Sequence, residues 1–383
     1  MQRSEGGPRI VLLGTYDLGK PRTRMLRRAL REIDPHLVEL HADIWRTVPD
    51  KSVMNGFSTK ARIALKALGT YPMLAARYLM AGRHDVVVIG YLGLFDVLLL
   101  GWLARLRGKP LVWDAFLSVY DTYARDRAIA PPSSLRARLV RTIERLACRI
   151  ADTVVMDTQA HADLMARLHD VPRGKMAAVP VGAEADAFRP VHAHPREGGG
   201  PPRLLFYGQF IPLHGLDTII GAALSERGKA YRWTIIGEGQ EAARIDAWLS
   251  SQPADHVERI RWVQYDGLQD AMQRSDIVLG IFGTSEKAGS VVPNKVYQAL
   301  QAGMPLITRD SPAMRELVPS GHAAIGLVAA GDTEALLDGI DTMVRNLPPR
   351  GADNPHAHIL PRFAFPAIRR HWQDIIGSVA RRR

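Results

Sequence analysis

The chain has 383 residues, 46% hydrophobic and 23% charged, which is room for two ordinary domains and the composition of a soluble globular protein. Its single cysteine, Cys148, excludes an intramolecular disulfide and leaves no Cys-based metal site, a usage that fits a reducing cytoplasm. The net charge of +11 is uneven: residues 1–200 hold 30 Lys and Arg against 20 Asp and Glu, and residues 201–383 hold 20 against 19. A basic first half fits nucleic acid, an anionic membrane surface or an anionic acceptor, and equally a plain solvated surface.

Taken in order, the polar stretch Met1 to Arg9 and the short apolar run Ile10 to Leu13 do not read as a secretory signal. Ile10 to Gly14 predicts a strand, and Pro21 to about Glu32 a helix opened by proline. Gly14 and Gly19 lack the spacing of a dinucleotide fingerprint. Arg22 and Arg24 are placed to meet a phosphate or to lie on the surface. Leu37 to Leu40 reads as a second strand. Lys60 to Gly82 reads as a basic amphipathic helix that Pro72 must interrupt; such a segment faces the core or lies on a membrane.

Val86 to Gly90 is a strand. Tyr91 to Leu106, shorter than the ~20 residues of a membrane span, is expected to be a buried helix. Pro110 to Asp114 is the next strand, with Asp114 placed to accept from a hydroxyl or to cap a helix. Ser133 to Ile150 is a basic amphipathic helix and Asp152 to Met156 a strand. The Gly- and Pro-rich stretch His192 to Pro202 reads as a linker. A second series of strands follows at Leu204 to Gly208, Trp233 to Ile236 and Val263 to Tyr265. Arg381 to Arg383 reads as a disordered tail.

The densest signal runs from Asp276 to Asp310. A buried strand is followed by a small-residue loop and by Pro293, which suits the first turn of a helix reaching about Ala302. Gly303 makes a left-handed cap, and Pro305 to Thr308 forms a second strand. This βαβ unit puts a helix N-terminus at the carboxyl end of a parallel strand. Free N–H groups and Lys295 there favour an anion. Gln298 follows on the same side as Asn294 and Lys295.

This stretch resembles the donor-binding segment of family-four glycosyltransferases. The resemblance rests on the turn Gly303-Met304-Pro305-Leu306-Ile307, the run Pro293-Asn294-Lys295-Val296-Tyr297, and Gln298-Ala299 where the family has Glu-Ala. Ser290 stands where the first of the family's two glutamates would be, with Glu286 four residues upstream. Val179 to Phe188 resembles the pattern that closes the family's first domain. Gly208 to Gly215 resembles its phosphate loop, with Gln209 for the usual arginine and His214 for the usual lysine. Asp114 stands where many members carry a histidine that touches the donor sugar.

The resemblance implies an α/β protein of GT-B fold, with two Rossmann-like domains facing a central cleft. These would be an acceptor-binding domain over 1–190, joined by a helix at about 362–383, a linker over 191–202, and a nucleotide-sugar domain over 203–361. It implies transfer, with retention, from a UDP- or GDP-linked sugar to a hydroxyl of a glycan or lipid-linked acceptor in cell-envelope or polysaccharide synthesis. No obligatory metal or other cofactor and no nucleic-acid partner are expected. The implied site is Asp114, His214, Lys295 and Glu286 for catalysis, and Gly14, Gly208, Gln209, His214, Gly237, Tyr265, Ser290, Val291, Asn294, Lys295 and Gln298 for the donor. The protein would be cytoplasmic, peripheral on the inner face of the plasma membrane. The altered glutamate and loop positions leave a sugar-nucleotide-binding protein without transferase activity as an alternative, and a GT-B sugar-nucleotide epimerase as another.

Overall fold

The structure, a computed structural model, describes residues 7–44, 57–183, 187–191, 200–265, 267–347 and 353–381. Most of the expected linker, at 192–199, and the last two residues of the expected tail lie outside the described residues. The chain forms two compact units. The first comprises Met1–Tyr120, Ala130–Val181 and Phe365–Arg383, and the second Asp121–Ile129 and Gly182–Ala364.

In the first unit six parallel strands lie in the order β2-β1-β3-β4-β5-β6: β1 Ile10–Gly14, β2 Val38–His41, β3 Val86–Ile89, β4 Leu111–Phe116, β5 Thr153–Met156 and β6 Met176–Ala178. Their apolar runs are continuous because both faces are covered. Ile10 and Leu12 point to one face, packed by helix α1 (Pro21–Ile33) and the C-terminal helix Phe365–Arg381. Val11 and Leu13 point to the other. There lie α2 (Phe57–Leu79), a helical rod α3 over 94–106, α4 (Leu135–Ile150) and α5 (Gln159–His169).

Two expectations fail in this unit. Pro72 does not interrupt α2, which runs through it. Pro72 is exposed, while Leu74 and Tyr78 beyond it are held in the core. The rod α3 is not buried all round. It contains a π-helical stretch, Val97–Gly101, and buries Leu94, Val97, Leu100, Leu103 and Ala104 while leaving its other side to solvent.

The second unit repeats the plan with β7 Arg203–Tyr207, β8 Arg232–Ile236, β9 Val257–Ile260, β10 Ile277–Leu279, β11 Leu306–Arg309 and β12 Ile325–Val328. All are parallel, in the order β12-β11-β10-β7-β8-β9. Chain order reverses between β7 and β10, which is the switch point where open parallel sheets bind ligands. Its core gathers Phe206, Ile219, Trp233, Ile235, Leu279 and Ile340 under α6 (Leu216–Leu224) and the helix Thr333–Arg345.

The edge strand is Val257–Ile260, not Val263 to Tyr265, which lies in the loop beyond it. Pairing with β8 selects the earlier residues, although Glu258 and Arg259 make them less apolar. The first unit's central stretch ends at Val181, and the short segment Asp121–Ile129 belongs with the second. Two ion pairs tie that segment down, Arg125 to Glu286 at 2.7 Å and Lys287 to Asp126 at 3.5 Å.

Candidate functional site

The candidate residues of the second unit converge on the carboxyl ends of β7 and β10. After β10 come α7 (Glu286–Ser290) and α8 (Asn294–Gln301). Pro293 precedes α8 as its extended cap residue instead of entering the first turn. At the far end Gly303 is left-handed, with φ +74°. Its N–H donates to Leu300 O at 3.1 Å and that of Met304 to Ala299 O at 2.9 Å, the paired bonds of a Schellman cap. This stop turns the chain into β11 and fixes which face of α8 looks inward.

Lys295 lies on that inward face and is 4% exposed. Its ammonium sits 3.7 Å from the centre of the Phe206 ring on β7 and donates to Gly280 O at 3.3 Å. Burial holds it well below the usual lysine range. His214, at the end of the turn Pro212–His214, is also buried. Its Nδ1 donates to Gln209 O, since a carbonyl only accepts, so Nε2 carries the lone pair in the neutral ring. Burial, then the neighbouring Lys295, holds its pKa well below the ordinary value. The free protein therefore has a neutral His214 at the position where the phosphate-loop resemblance has a lysine.

Gly208 joins the two. A Cβ at this position would lie 2.9 Å from His214 Cε1 and 3.1 Å from Lys295 Nζ, at φ +149°. Gly237, at the end of β8, closes against the Gly208 carbonyl, and Gln209 is exposed beside them.

One turn past Lys295, the Gln298 amide oxygen accepts from Tyr207 Oη at 2.9 Å and its nitrogen donates to Tyr265 Oη at 3.4 Å. Tyr265 is exposed and packs edge-on to Phe188. Asn294 opens α8 in solvent, and Val291 is half-buried between the two helices. Ser290 donates back to Glu286 O at 2.8 Å. Glu286 is bound by Arg125, and Lys287 donates to Thr122 Oγ1 at 2.6 Å.

The same segment brings in Arg127, which the sequence reading missed. Gln240 Nε2 donates to its carbonyl at 3.1 Å, and it lies within electrostatic reach of His214 and Lys287. Among the described residues its buried Nε has no hydrogen-bond partner. No sequence signal marks it, because it lies in an irregular stretch between elements of the other unit.

Two candidates, Gly14 and Asp114, lie in the first unit. Asp114 is wholly buried and both its oxygens accept from Arg22, at 2.6 to 3.1 Å. Arg22 also donates to Val179 O and stacks near Phe116 and Trp372. The pair engages both carboxylate oxygens of Asp114 and holds Arg22 off the surface. Gly14 is required by packing: at φ +132° a Cβ would fall on the Asp96 carboxylate. That carboxylate accepts from Thr15 N at 2.7 Å and from Tyr71 Oη at 3.0 Å, and burial pushes its pKa up to about 6. Among the described residues no group of three or more His, Cys, Asp and Glu is placed to hold a metal ion.

Two family models match this chain. Residues 22–182 match the glycosyl transferase 4-like domain, and residues 201–346 match glycosyl transferases group 1. One match spans most of the first unit and the other most of the second, and the two parallel sheets have the GT-B architecture. The chain is similar to the D-inositol 3-phosphate glycosyltransferase of Nocardia farcinica, 26% identical over 61% of this chain and 53% of that protein, so it spans about half of that relative's length. Among solved structures it resembles HepE from Anabaena in complex with UDP, at TM-score 0.69 and 13% identity over 97% of this chain and 100% of that one. It also resembles the lipopolysaccharide outer core galactosyltransferase WaaB in its apo form (TM-score 0.63, 13% identity, 96% and 98% covered). A third is sucrose-phosphate synthase from Thermosynechococcus elongatus (TM-score 0.63, 15% identity, 98% and 97% covered).

Proposed function

We propose that the protein transfers a sugar from a nucleotide diphosphate sugar, UDP- or GDP-linked, to a hydroxyl of a glycan or lipid-linked acceptor, with retention at the anomeric carbon. The observation that carries this reading is the buried Lys295 ammonium at the switch point, facing Gly208 and His214 with a carbonyl and an aromatic ring as its neighbours. An ammonium removed from water is costly unless an anion completes its surroundings. A diphosphate at the N-terminus of α8 does so. That HepE has been solved with UDP and with UDP-glucose supports the choice of ligand.

In this reading Lys295 and Gly208 hold the diphosphate, Asn294 and the first turn of α8 add donors, and His214 contributes once protonated. Arg127 supplies the guanidinium that Gln209 lacks. Gly237 and Tyr265 border the nucleoside, with Gln298 using its remaining N–H and lone pair on the ribose. Ser290, Val291 and Glu286 shape the loop facing the sugar, and the first domain binds the acceptor. Positive charge at the leaving diphosphate then stabilises the transition state directly. The bond from the anomeric carbon to the diphosphate oxygen breaks, the acceptor oxygen bonds on the same face, and its proton passes to the departing diphosphate. The protein would act in the cytoplasm, in cell-envelope or polysaccharide synthesis.

The test is a panel of nucleotide sugars with glycan and lipid-linked acceptors, read by nucleotide release and by the anomeric configuration of the product. Acceptor-dependent release of UDP or GDP is expected. Donor binding without release in the presence of every acceptor would favour a sugar-nucleotide-binding protein.

A further inference from the structure

The solvent side of α3 carries a continuous apolar stripe. Phe95, Leu99, Trp102 and Leu106 recur at helical spacing on the face opposite the buried Leu94, Val97, Leu100 and Leu103. Trp102 is 48% exposed and Leu106 72% exposed. The indole N–H of Trp102 is satisfied within the rod by Leu99 O at 3.0 Å, so its ring makes no demand on water. The orientation is fixed from below. Asp96 is held by Thr15 and by Tyr71 of α2, and Gly101 lets the rod close on Ile150 of α4.

The stripe does not stop at the rod. On α4, which packs beside it, Leu139 is 60% exposed and Leu146 is exposed too; on the α2 side Met73 and Met80 are exposed. The same three helices carry exposed arginines, Arg77, Arg105, Arg136, Arg138 and Arg149. Among the described residues of these three helices no exposed acidic side chain answers them. Phe57–Leu79 contains no Asp or Glu, and the only carboxylates of α3 and α4, Asp96 and Glu144, are both wholly buried. Glu144 is consumed by Ser118 Oγ, the backbone N–H groups of Val119 and Tyr120, and His169.

We propose that this face of the first domain docks on an anionic lipid bilayer, with the α3 stripe entering the headgroup region and the flanking arginines meeting lipid phosphates. An apolar face with a cationic border is the pattern of interfacial helices. A second copy of this chain would set one acid-free cationic border against another. Among the described residues no helix is long and apolar enough to cross a membrane. The proposal rests on the first domain alone, and loss of donor binding would not touch it.

The experiment is vesicle co-sedimentation of the full chain, using phosphatidylcholine alone and phosphatidylcholine with phosphatidylglycerol, at low and high salt. Wild type is compared with Leu99→Ser/Trp102→Ser and with Arg136→Glu/Arg138→Glu, each shown by circular dichroism and thermal melting to be folded. The account expects binding to anionic vesicles that weakens with salt. It expects a fall of about tenfold or more in either double variant, with the melting temperature retained. Equal binding to neutral vesicles, or undiminished binding by the Leu99/Trp102 variant, would overturn it. So would sedimentation equilibrium showing a wild-type dimer that the same variant dissolves.

Discussion

The Lys295 ammonium lies 3.7 Å from the centre of the Phe206 ring, inside the carboxyl end of the second sheet. A ring face compensates an ammonium only in part, and the Gly280 carbonyl at 3.3 Å adds one bond. The free protein therefore carries a destabilising group at the place where the account needs an anion. Lys295→Met keeps the stem and removes the charge. It is expected to stabilise the unliganded protein by about 1–3 kcal/mol, since apolar replacement of buried charge is often stabilising. Thermal melting without nucleotide checks the sign, and a lower melting temperature would show that the ammonium is already well accommodated.

Tyr207 and Gln298 make the second prediction. Their bond at 2.9 Å is buried and orients the Gln298 amide. Tyr207→Phe should cost about 1 kcal/mol of stability, and it frees the amide to turn. Donor affinity should fall further in Gln298→Ala than in Tyr207→Phe, because only the former removes the ribose partner. Equal affinity of Gln298→Ala and wild type would take the ribose away from this residue.

His214 sets the pH dependence of binding. Its free-state pKa lies well below 6.5, first through burial and then through Lys295. A bound diphosphate stabilises the imidazolium and raises the pKa. Binding then takes up protons, and affinity falls as pH rises through the bound-state pKa. Calorimetry of UDP binding in buffers of different ionisation enthalpy measures the uptake. His214→Gln should reduce it, leaving the part due to Lys295 and the phosphate; identical uptake in both proteins would assign His214 a packing role.

A separate titration belongs to His356. Ala324 N–H donates to His322 Nδ1 at 3.2 Å, so His322 Nε2–H donates to His356 Nδ1 at 3.3 Å and His356 Nε2–H to Met304 O at 2.9 Å. Burial first, with His322 and His358 adding to it, pushes the His356 pKa down to about 4. The neutral form is favoured by folding, so this stability is complete above about 6.5, the unfolded value. It is lost as pH falls toward 4. The loss is about 3 kcal/mol across the window. His356→Gln should flatten this slope relative to wild type in denaturant titrations between those limits. Parallel slopes would mean that the histidine chain does not titrate with folding.

The βαβ unit around Lys295 was legible in sequence because each of its signals is local: an apolar strand, a proline, a left-handed glycine and a second strand. The same holds for the first five strands of the first sheet; the short edge strand Met176–Ala178 carried no apolar run long enough to read. What escaped was set by distant partners. Arg22 and Asp114 are 92 residues apart, and nothing near either announces the other. Arg127 joins the second unit because Arg125 and Asp126 find charges on α7. The apolar run of α3 looked like a buried helix because composition records how apolar a segment is, not whether something covers its outer face. Gln298 shares the buried face of α8 with Lys295 but not with the exposed Asn294, and its two tyrosine neighbours come from other elements.

The most direct measurement is calorimetric titration of UDP and of GDP into wild type and Lys295→Met at neutral pH. The account predicts that wild type binds at least one of them. It also predicts that Lys295→Met, at least as stable as wild type, binds that nucleotide about tenfold or more weakly. Undiminished binding in a folded Lys295→Met would contradict the claim that this buried ammonium holds the donor diphosphate.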